Sequence, residues 1–411
     1  MTDSPMQPTR PVWIDPDEQT FPPVRSDLSV DVAIIGGGIA GVGAAYWLQT
    51  AGVSNIVLLE SRAVASGASG RNAGFVMAVS PENFPPRSEP SNLEMVRRTW
   101  RFTDENQRMI TTALDEFTID AEYETKGSVC LAASQAEWNW IRDSSEVARE
   151  SGVLVHIIEG SELATPWLRA NYLGGASYPG NAAIHPAKFV RGLANALSAE
   201  GLRIYERSPV VHISEDSDVV TLVVNGRAIR ANRVVLATNA YTAAIWPDLG
   251  RWIAATRGQV LATNPLDSDI APCPAYANNG FQYWRQTRDG RLVLGGWRDM
   301  DMSTEVGTEE RLNETIQHEL TRVATGLTDG AAEIEYRWSG IMGFTPDRQP
   351  LMGMVPGAPN IAIVAGFSGH GLAMAFHAAR HAVEALLGRE SEYSDLFDPG
   401  RFERTPGSAG S

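Results

Sequence analysis

The chain has 411 residues, with 34 Lys plus Arg against 49 Asp plus Glu and a net charge of −15. That excess of negative charge repels nucleic acid and anionic membrane surfaces and draws in cationic small molecules. With 43% apolar and 20% charged residues the composition is that of a globular protein, neither disordered nor fibrous, and the length calls for two domains with room for a large buried site.

Residues 1–29 are rich in Pro, Asp and Arg and lack the apolar core of a signal peptide. No run approaches the ~18 apolar residues of a membrane span, so a cytoplasmic protein without a membrane partner is expected. Cys130 and Cys273 stand far apart without a Cys-x-x-Cys or histidine-rich neighbour; reduced, buried thiols and no metal site are expected.

In chain order, the β-branched run Val30-Asp31-Val32-Ala33-Ile34-Ile35 predicts a strand, Gly36-Gly37-Gly38 a tight turn, and residues 39–51 a helix. After Gly52, the run Asn55-Ile56-Val57-Leu58-Leu59-Glu60 predicts a second strand, so that residues 30–60 make one βαβ unit with parallel strands. Residues 61–90 read as loop, including Ser66-Gly67-Ala68-Ser69-Gly70-Arg71-Asn72-Ala73-Gly74 and a proline-rich stretch at 81–90. Helices are predicted at 94–117 and 187–199. Strands are predicted at 124–132, 203–205, 219–224, 233–238, 257–263, 281–287 and 291–294, with hairpin turns at Asn225-Gly226 and Asp289-Gly290. A last strand at 360–365, a glycine-rich turn at 366–371 and a helix at 372–387 follow, and the tail after Gly388 is expected to be loosely ordered.

Gly36, Gly38 and Gly41 have the spacing at which a strand turns sharply into a helix, the backbone meets a pyrophosphate, and the helix packs close to the sheet. The helix N-terminus, with Ile39 and Ala40, offers the phosphates free N–H groups and the positive end of its dipole. Glu60, at the tip of the second strand, suits the ribose hydroxyls and disfavours a 2′-phosphate. This unit indicates a dinucleotide but leaves FAD and NAD open, because both carry the same adenosine diphosphate half.

Three stretches together resemble the D-amino-acid oxidase type of FAD enzymes, which includes glycine oxidase, sarcosine oxidase and γ-glutamylputrescine oxidase. They are residues 31–74 with the Ser-Gly-Ala-Ser-Gly-Arg-Asn-Ala-Gly segment, Ile184-His185-Pro186 through to Ala237-Thr238-Asn239-Ala240-Tyr241, and Gly366-Phe367-Ser368-Gly369-His370-Gly371. The resemblance implies an α/β protein: a Rossmann-like FAD-binding domain of the glutathione-reductase type, with an inserted α+β substrate domain built on a mixed, largely antiparallel sheet. The expected boundaries are 28–90, 186–245 and 335–390 for the FAD domain, 91–185 and 246–334 for the substrate domain, 1–27 as an N-terminal extension and 391–411 as a tail. It also implies that Ser61, Ser69, Arg71, Asn72, Ala73, Val211, Thr238, Gly343, Gly369, His370 and Gly371 join the glycine turn in holding FAD, with Arg71 near the flavin ring and Val211 on the adenine side. Arg71 as a plain surface cation is the alternative.

A helix beginning at Gly371 aims its positive end at whatever precedes it, which suits the negative charge of a reduced flavin. His370 either adds a donor there or only satisfies a turn carbonyl. Flavin amine oxidation asks the protein mainly for a shaped, aromatic pocket, for which Phe281, Tyr283, Trp284 and Trp297 are candidates. Tyr283 and Trp284 must point to opposite faces of their strand.

Departures from the family refine this. Amino-acid-oxidising members, by the same resemblance, carry an arginine shortly before a Thr-Pro-Asp motif, where this chain has Met342-Gly343-Phe344-Thr345-Pro346-Asp347. The places of a sarcosine oxidase's lysine, flavin-bonding cysteine and oxygen-activating lysine fall at Ala373, Gly340 and Val293. The reading is therefore non-covalent FAD and a small amine as substrate, with Met342, Tyr283, Trp297 and His370 at the reacting end and O₂ or another acceptor taking the electrons. An amino-acid substrate held by Arg71, Arg257 or Arg285, and a non-catalytic FAD-binding subunit, are the alternatives.

Overall fold

The computed structural model describes residues 6–15, 20–78, 93–216 and 218–404; the proline-rich stretch at 81–90 lies outside them. The βαβ unit forms as its residues dictate. Strand Leu28–Ile35 pairs in parallel with Ile56–Leu59 across the helix Ile39–Thr50. That helix ends where Gly52, at φ +87°, turns the chain left-handed and lets Val53 N–H reach back to the Leu48 carbonyl.

Around this unit an eight-stranded sheet runs in the order Leu351–Val355, Ala358–Ala365, Arg227–Leu236, Leu28–Ile35, Ile56–Leu59, Arg203–Tyr205, with Val219–Val224 and Val210–Asp216 continuing from Arg227–Leu236 as an antiparallel meander. Five of its strands, from Ala358–Ala365 to Arg203–Tyr205 in that order, are parallel. Strand alternation sorts the core: Val32, Ile34, Ile56 and Leu58 face the helices, while Ala33, Ile35, Val57 and Leu59 face the meander with Leu222 and Val224. On the helical side Ile39–Thr50 lies against Gly371–Leu386. Gly43 permits that approach, since a Cβ there would come within 2.9 Å of the Phe376 ring, and Trp47 Nε1 donates to the Phe376 carbonyl at 2.9 Å.

A second eight-stranded sheet runs Ile334–Phe344, Ala254–Pro265, Arg291–Gly296, Gln282–Gln286, Ala275–Ala277, Ser128–Leu131, Gly174–Tyr178, His156–Glu159, antiparallel throughout except where Ala275–Ala277 meets Ser128–Leu131. The expected mixed, largely antiparallel sheet is therefore present beside a Rossmann-like one. Both expected hairpin turns form, with Asn225, Gly226 and Gly290 at φ +51°, +73° and +88°.

Two sequence expectations change. Ile334–Phe344 pairs with Ala254–Pro265, so the boundary placed at 335 falls inside a strand of the second sheet. The tail is not loose over its described part: Tyr393, Leu396 and Phe397 are buried, Phe397 meets Phe102 edge-on at 5.2 Å, and Arg401 forks onto Asp347 at 2.7 and 3.1 Å. The N-terminal segment is likewise docked, with Trp13 buried and its Nε1 donating to the Asn72 carbonyl at 2.6 Å. No helix among the described residues is long and apolar enough to cross a membrane.

Candidate active site

Between the two sheets lies a cavity of about 840 Å³ that runs from the glycine turn to the inner face of the second sheet. At the glycine end each small residue is required by what faces it. Gly36 sits at φ +111°, and a Cβ there would stand 2.5 Å from the Ala237 carbonyl oxygen; a Cβ on Gly41 would overlap the carbonyl of Gly36 itself. Gly41 thus serves close packing of helix on strand and does not line the cavity, whereas Gly36, Gly38, Ile39 and Ala40 do.

Glu60 stands at the end of its strand with Oε2 accepting from Gly37 N–H at 2.7 Å and Oε1 from Arg62 N–H at 2.8 Å. Its carboxylate is oriented by backbone before any ligand arrives. Ser69 Oγ accepts from Ile39 N–H at 2.9 Å, and Asn72 binds the carbonyls of Ala68 and Ser69 while capping Gly74 N–H. The segment 66–74 is therefore a self-braced loop seated on the helix N-terminus. Ser61, Ser69, Asn72, Ala73 and Thr238 all line the cavity.

Arg71 lines it too, with each nitrogen engaged: Nε on the Ser66 carbonyl, Nη1 on the Ser339 carbonyl, and Nη2 on Glu310 at 2.8 Å. Burial, countered by Glu310, holds its pKa below the ordinary arginine value. Arg71 fastens the loop to the second sheet, and Glu310 already neutralises its charge. Trp338 Nε1 returns the tie by donating to the Arg71 carbonyl at 2.9 Å.

At the far end Gly343 is approached by Asn239, whose side chain accepts from Gly366 N–H at 2.9 Å. Gly366, Ser368 and Gly369 all take positive φ, and this turn delivers His370 as the residue before the Gly371–Leu386 helix. His370 lines the cavity while its Nδ1 lies 3.2 Å from the Ser368 carbonyl. A neutral ring bonded this way carries its proton on Nδ1, leaving Nε2 as an acceptor.

On the second sheet Phe281, Tyr283 and Met342 line the cavity and Trp284 does not, as alternation requires. Burial lifts the Tyr283 phenol to about 12, so it stays a neutral O–H donor. Two expected residues are misplaced. Trp297 is buried in the core among Leu294 and Ile316: Gly296 and Trp297 both take positive φ, +110° and +54°, which breaks the alternation, rolls the indole under the sheet and delivers Arg298 to the cavity instead. Val211 is 64% exposed while its neighbour Val210 lines the cavity; the sequence reading was one residue out of register.

The alternative carboxylate anchors are also removed. Arg257 is buried on the carbonyls of Thr304, Val306 and Glu309 with Glu305 3.6 Å away, and Arg285, lowered to about 10 by burial, holds the Ile184 carbonyl and packs on Trp13. Neither lines the cavity. Sequence reasoning missed Arg298 and Phe344; a left-handed turn at a tryptophan leaves no sequence signal.

The profile of the DAO family, the FAD-dependent oxidoreductases, matches residues 31–385. The chain belongs to this family. It is 27% identical over 396 residues to the probable oxidoreductase OrdL of Haemophilus influenzae, covering 91% of this chain and 86% of that protein. It is 27% identical to γ-glutamylputrescine oxidoreductase of Escherichia coli, covering 92% and 88%, and 26% identical to glycine oxidase of Pseudomonas aeruginosa, covering 91% and 98%. The fold matches the crystal structure of glycine oxidase from Geobacillus kaustophilus with a TM-score of 0.79 at 22% identity, over 93% of this chain and 100% of that one.

The FAD-dependent enzyme's cradle fits its cofactor: a backbone that tolerates no Cβ at Gly36, an oriented carboxylate at Glu60, and a helix N-terminus that lines the cavity at Gly38, Ile39 and Ala40. Neither Cys130 nor Cys273 lines the cavity. Denaturing the yellow protein is therefore expected to release FAD into the supernatant, with flavin left on the precipitated chain as the contrary result.

Proposed function

We propose that this chain oxidises a C–N bond of a small amine that bears no carboxylate on the carbon oxidised, in the manner of its γ-glutamylputrescine-oxidising relative. The observation that carries the reading is Met342. It lines the cavity where amino-acid-oxidising members of the family, by the resemblance drawn above, place an arginine, and its side chain lies against Gly258 and beside Gly369. A thioether gives a carboxylate neither charge nor donor.

When bound, FAD supplies the hydride acceptor for the carbon next to the nitrogen. The chain supplies the rest. Phe281, Tyr283, Met342 and Phe344 form an apolar and aromatic wall that excludes water and favours the neutral amine over its ammonium form. Within this wall the Tyr283 hydroxyl is the polar group that orients the substrate. His370 also lines the cavity, and with Nδ1–H on the Ser368 carbonyl a neutral ring would present Nε2 as an acceptor for the amine N–H. The net charge of −15 raises the local concentration of cationic amines at low salt.

Product analysis tests this. Incubation with γ-glutamylputrescine, putrescine or N-methylated amines in air is expected to give an aldehyde and the freed nitrogen compound in equal amounts, with glycine, sarcosine and D-alanine at least about a hundredfold slower per kcat/KM, the scale set by leaving a buried charge unpaired. Faster turnover of the α-amino acids would overturn the reading.

A further inference from the structure

Four arginines line the cavity: Arg62, Arg71, Arg298 and Arg348. Arg62 and Arg71 share Glu310, and Arg348 is exposed. Arg298 is different. It is half-buried, and among the described residues its guanidinium makes no ion pair and no hydrogen bond. Its contacts are two ring faces, Phe281 at 5.1 Å and Phe344 at 5.2 Å from ring centre to guanidinium carbon. These hold the cation in place without neutralising it.

The carboxylates near it are engaged elsewhere. Glu305 lies 3.6 Å from Arg257 and accepts from Gln259 at 2.9 Å, and Asp299 accepts from Asn278 at 2.8 Å. Burial first, then the neighbouring Arg348, lowers the Arg298 pKa against the opposing pull of Glu305 and Asp299, while its donors stay unspent. A planar fork of donors so placed suits a carboxylate. Phe344 follows Met342 by two residues on one strand, so both side chains share a face about 7 Å apart, and the guanidinium lies over the Phe344 ring. An anion held there would sit at the Phe281 and Phe344 rings rather than at the Met342 position.

We propose that Arg298, with the Tyr283 hydroxyl beside it, is the anion anchor of the substrate cavity, and that the substrate is an amine carrying a carboxylate several bonds removed from the C–N bond that is oxidised. This rests on the amine-oxidising reading and narrows it from any small amine to an amino-terminated acid.

Three probes separate the two claims in the FAD-loaded enzyme: N-succinylputrescine, N-butanoylputrescine, which lacks the carboxylate, and N-butylsuccinamate, which keeps the carboxylate but has no amine to oxidise. The wild type is expected to prefer the succinyl amine over the butanoyl amine by about 30-fold in kcat/KM, and Arg298→Met to reduce that ratio below about threefold. In parallel, the dissociation constant of N-butylsuccinamate, read from the shift of the flavin bands, is expected to rise by about 30-fold. Flavin content and thermal midpoint report whether the variant folds; if Arg298→Met loses flavin, Arg298→Gln makes the same comparison with a polar stem. A wild-type ratio near one, or equal succinamate binding in wild type and variant, overturns the anchor. If neither amine reduces the flavin, the reaction assignment fails while the succinamate titration still decides the role of Arg298.

Discussion

Gly36→Val is expected to yield colourless protein, with FAD below about a tenth of the wild-type content per chain and a loss of at least about 3 kcal/mol in stability. Two effects add. The residue sits at φ +111°, where a β-branched side chain is strained, and its Cβ would stand 2.5 Å from the Ala237 carbonyl of the adjoining strand. The strand pair Leu28–Ile35 and Arg227–Leu236 cannot yield, because Ile35 and Leu236 are in register at its end. Absorbance of the purified protein near the flavin bands and a thermal melt check both parts. A yellow variant of normal stability would remove the glycine turn from the cofactor site.

Acidification should destabilise the fold with a midpoint set by buried histidines rather than by carboxylates alone. His377 is buried between the Phe102 ring, stacked at 4.2 Å, and His381, whose Nε2 lies 2.8 Å from its own. Burial first, then the neighbouring His381, lowers its pKa to about 3. His185, beneath Trp13, is lowered to about 4, chiefly by burial. Both pKa values are depressed relative to the unfolded chain, so below about pH 6.5 the unfolded state binds protons that the folded state refuses. Their contribution is therefore fully present above about pH 6.5 and is lost as pH falls toward the folded values. For His377 alone the loss is about 2 kcal/mol at pH 5, at about 1.4 kcal/mol per unit. Urea melts from pH 7.5 to 4.5 measure the slope, and His377→Gln is expected to flatten it. A slope unchanged by that substitution would assign the acid sensitivity elsewhere.

What the sequence disclosed follows the range of the forces involved. The βαβ unit, both Asn-Gly and Asp-Gly hairpins and the Gly366–Gly371 turn are fixed by local backbone chemistry, and all were legible. Tyr283 and Trp284 fell on opposite faces because strand alternation is local too. The assignment of Ile334–Phe344 to the second sheet depends on pairing with a strand some 80 residues earlier, which no local pattern carries. Trp297 failed for a different reason: two consecutive positive-φ residues, Gly296 and Trp297, end the strand's alternation just before the indole. The tail was misjudged because three large apolar residues, Tyr393, Leu396 and Phe397, suffice to dock a segment that otherwise reads as polar.

Arg298 illustrates the same limit at the site. In the sequence it is one of many arginines, and only the fold shows that Arg71 and Arg257 are occupied and Arg285 lies off the cavity, while Arg298 lines it unpaired among the described residues.

The most direct test of the account is anaerobic mixing of the FAD-loaded enzyme with one amine at a time while the flavin absorbance is followed. The account predicts rapid bleaching by amines with no carboxylate on the carbon that is oxidised, γ-glutamylputrescine foremost, and little or none by glycine, sarcosine or D-alanine. Bleaching by the α-amino acids alone would contradict it.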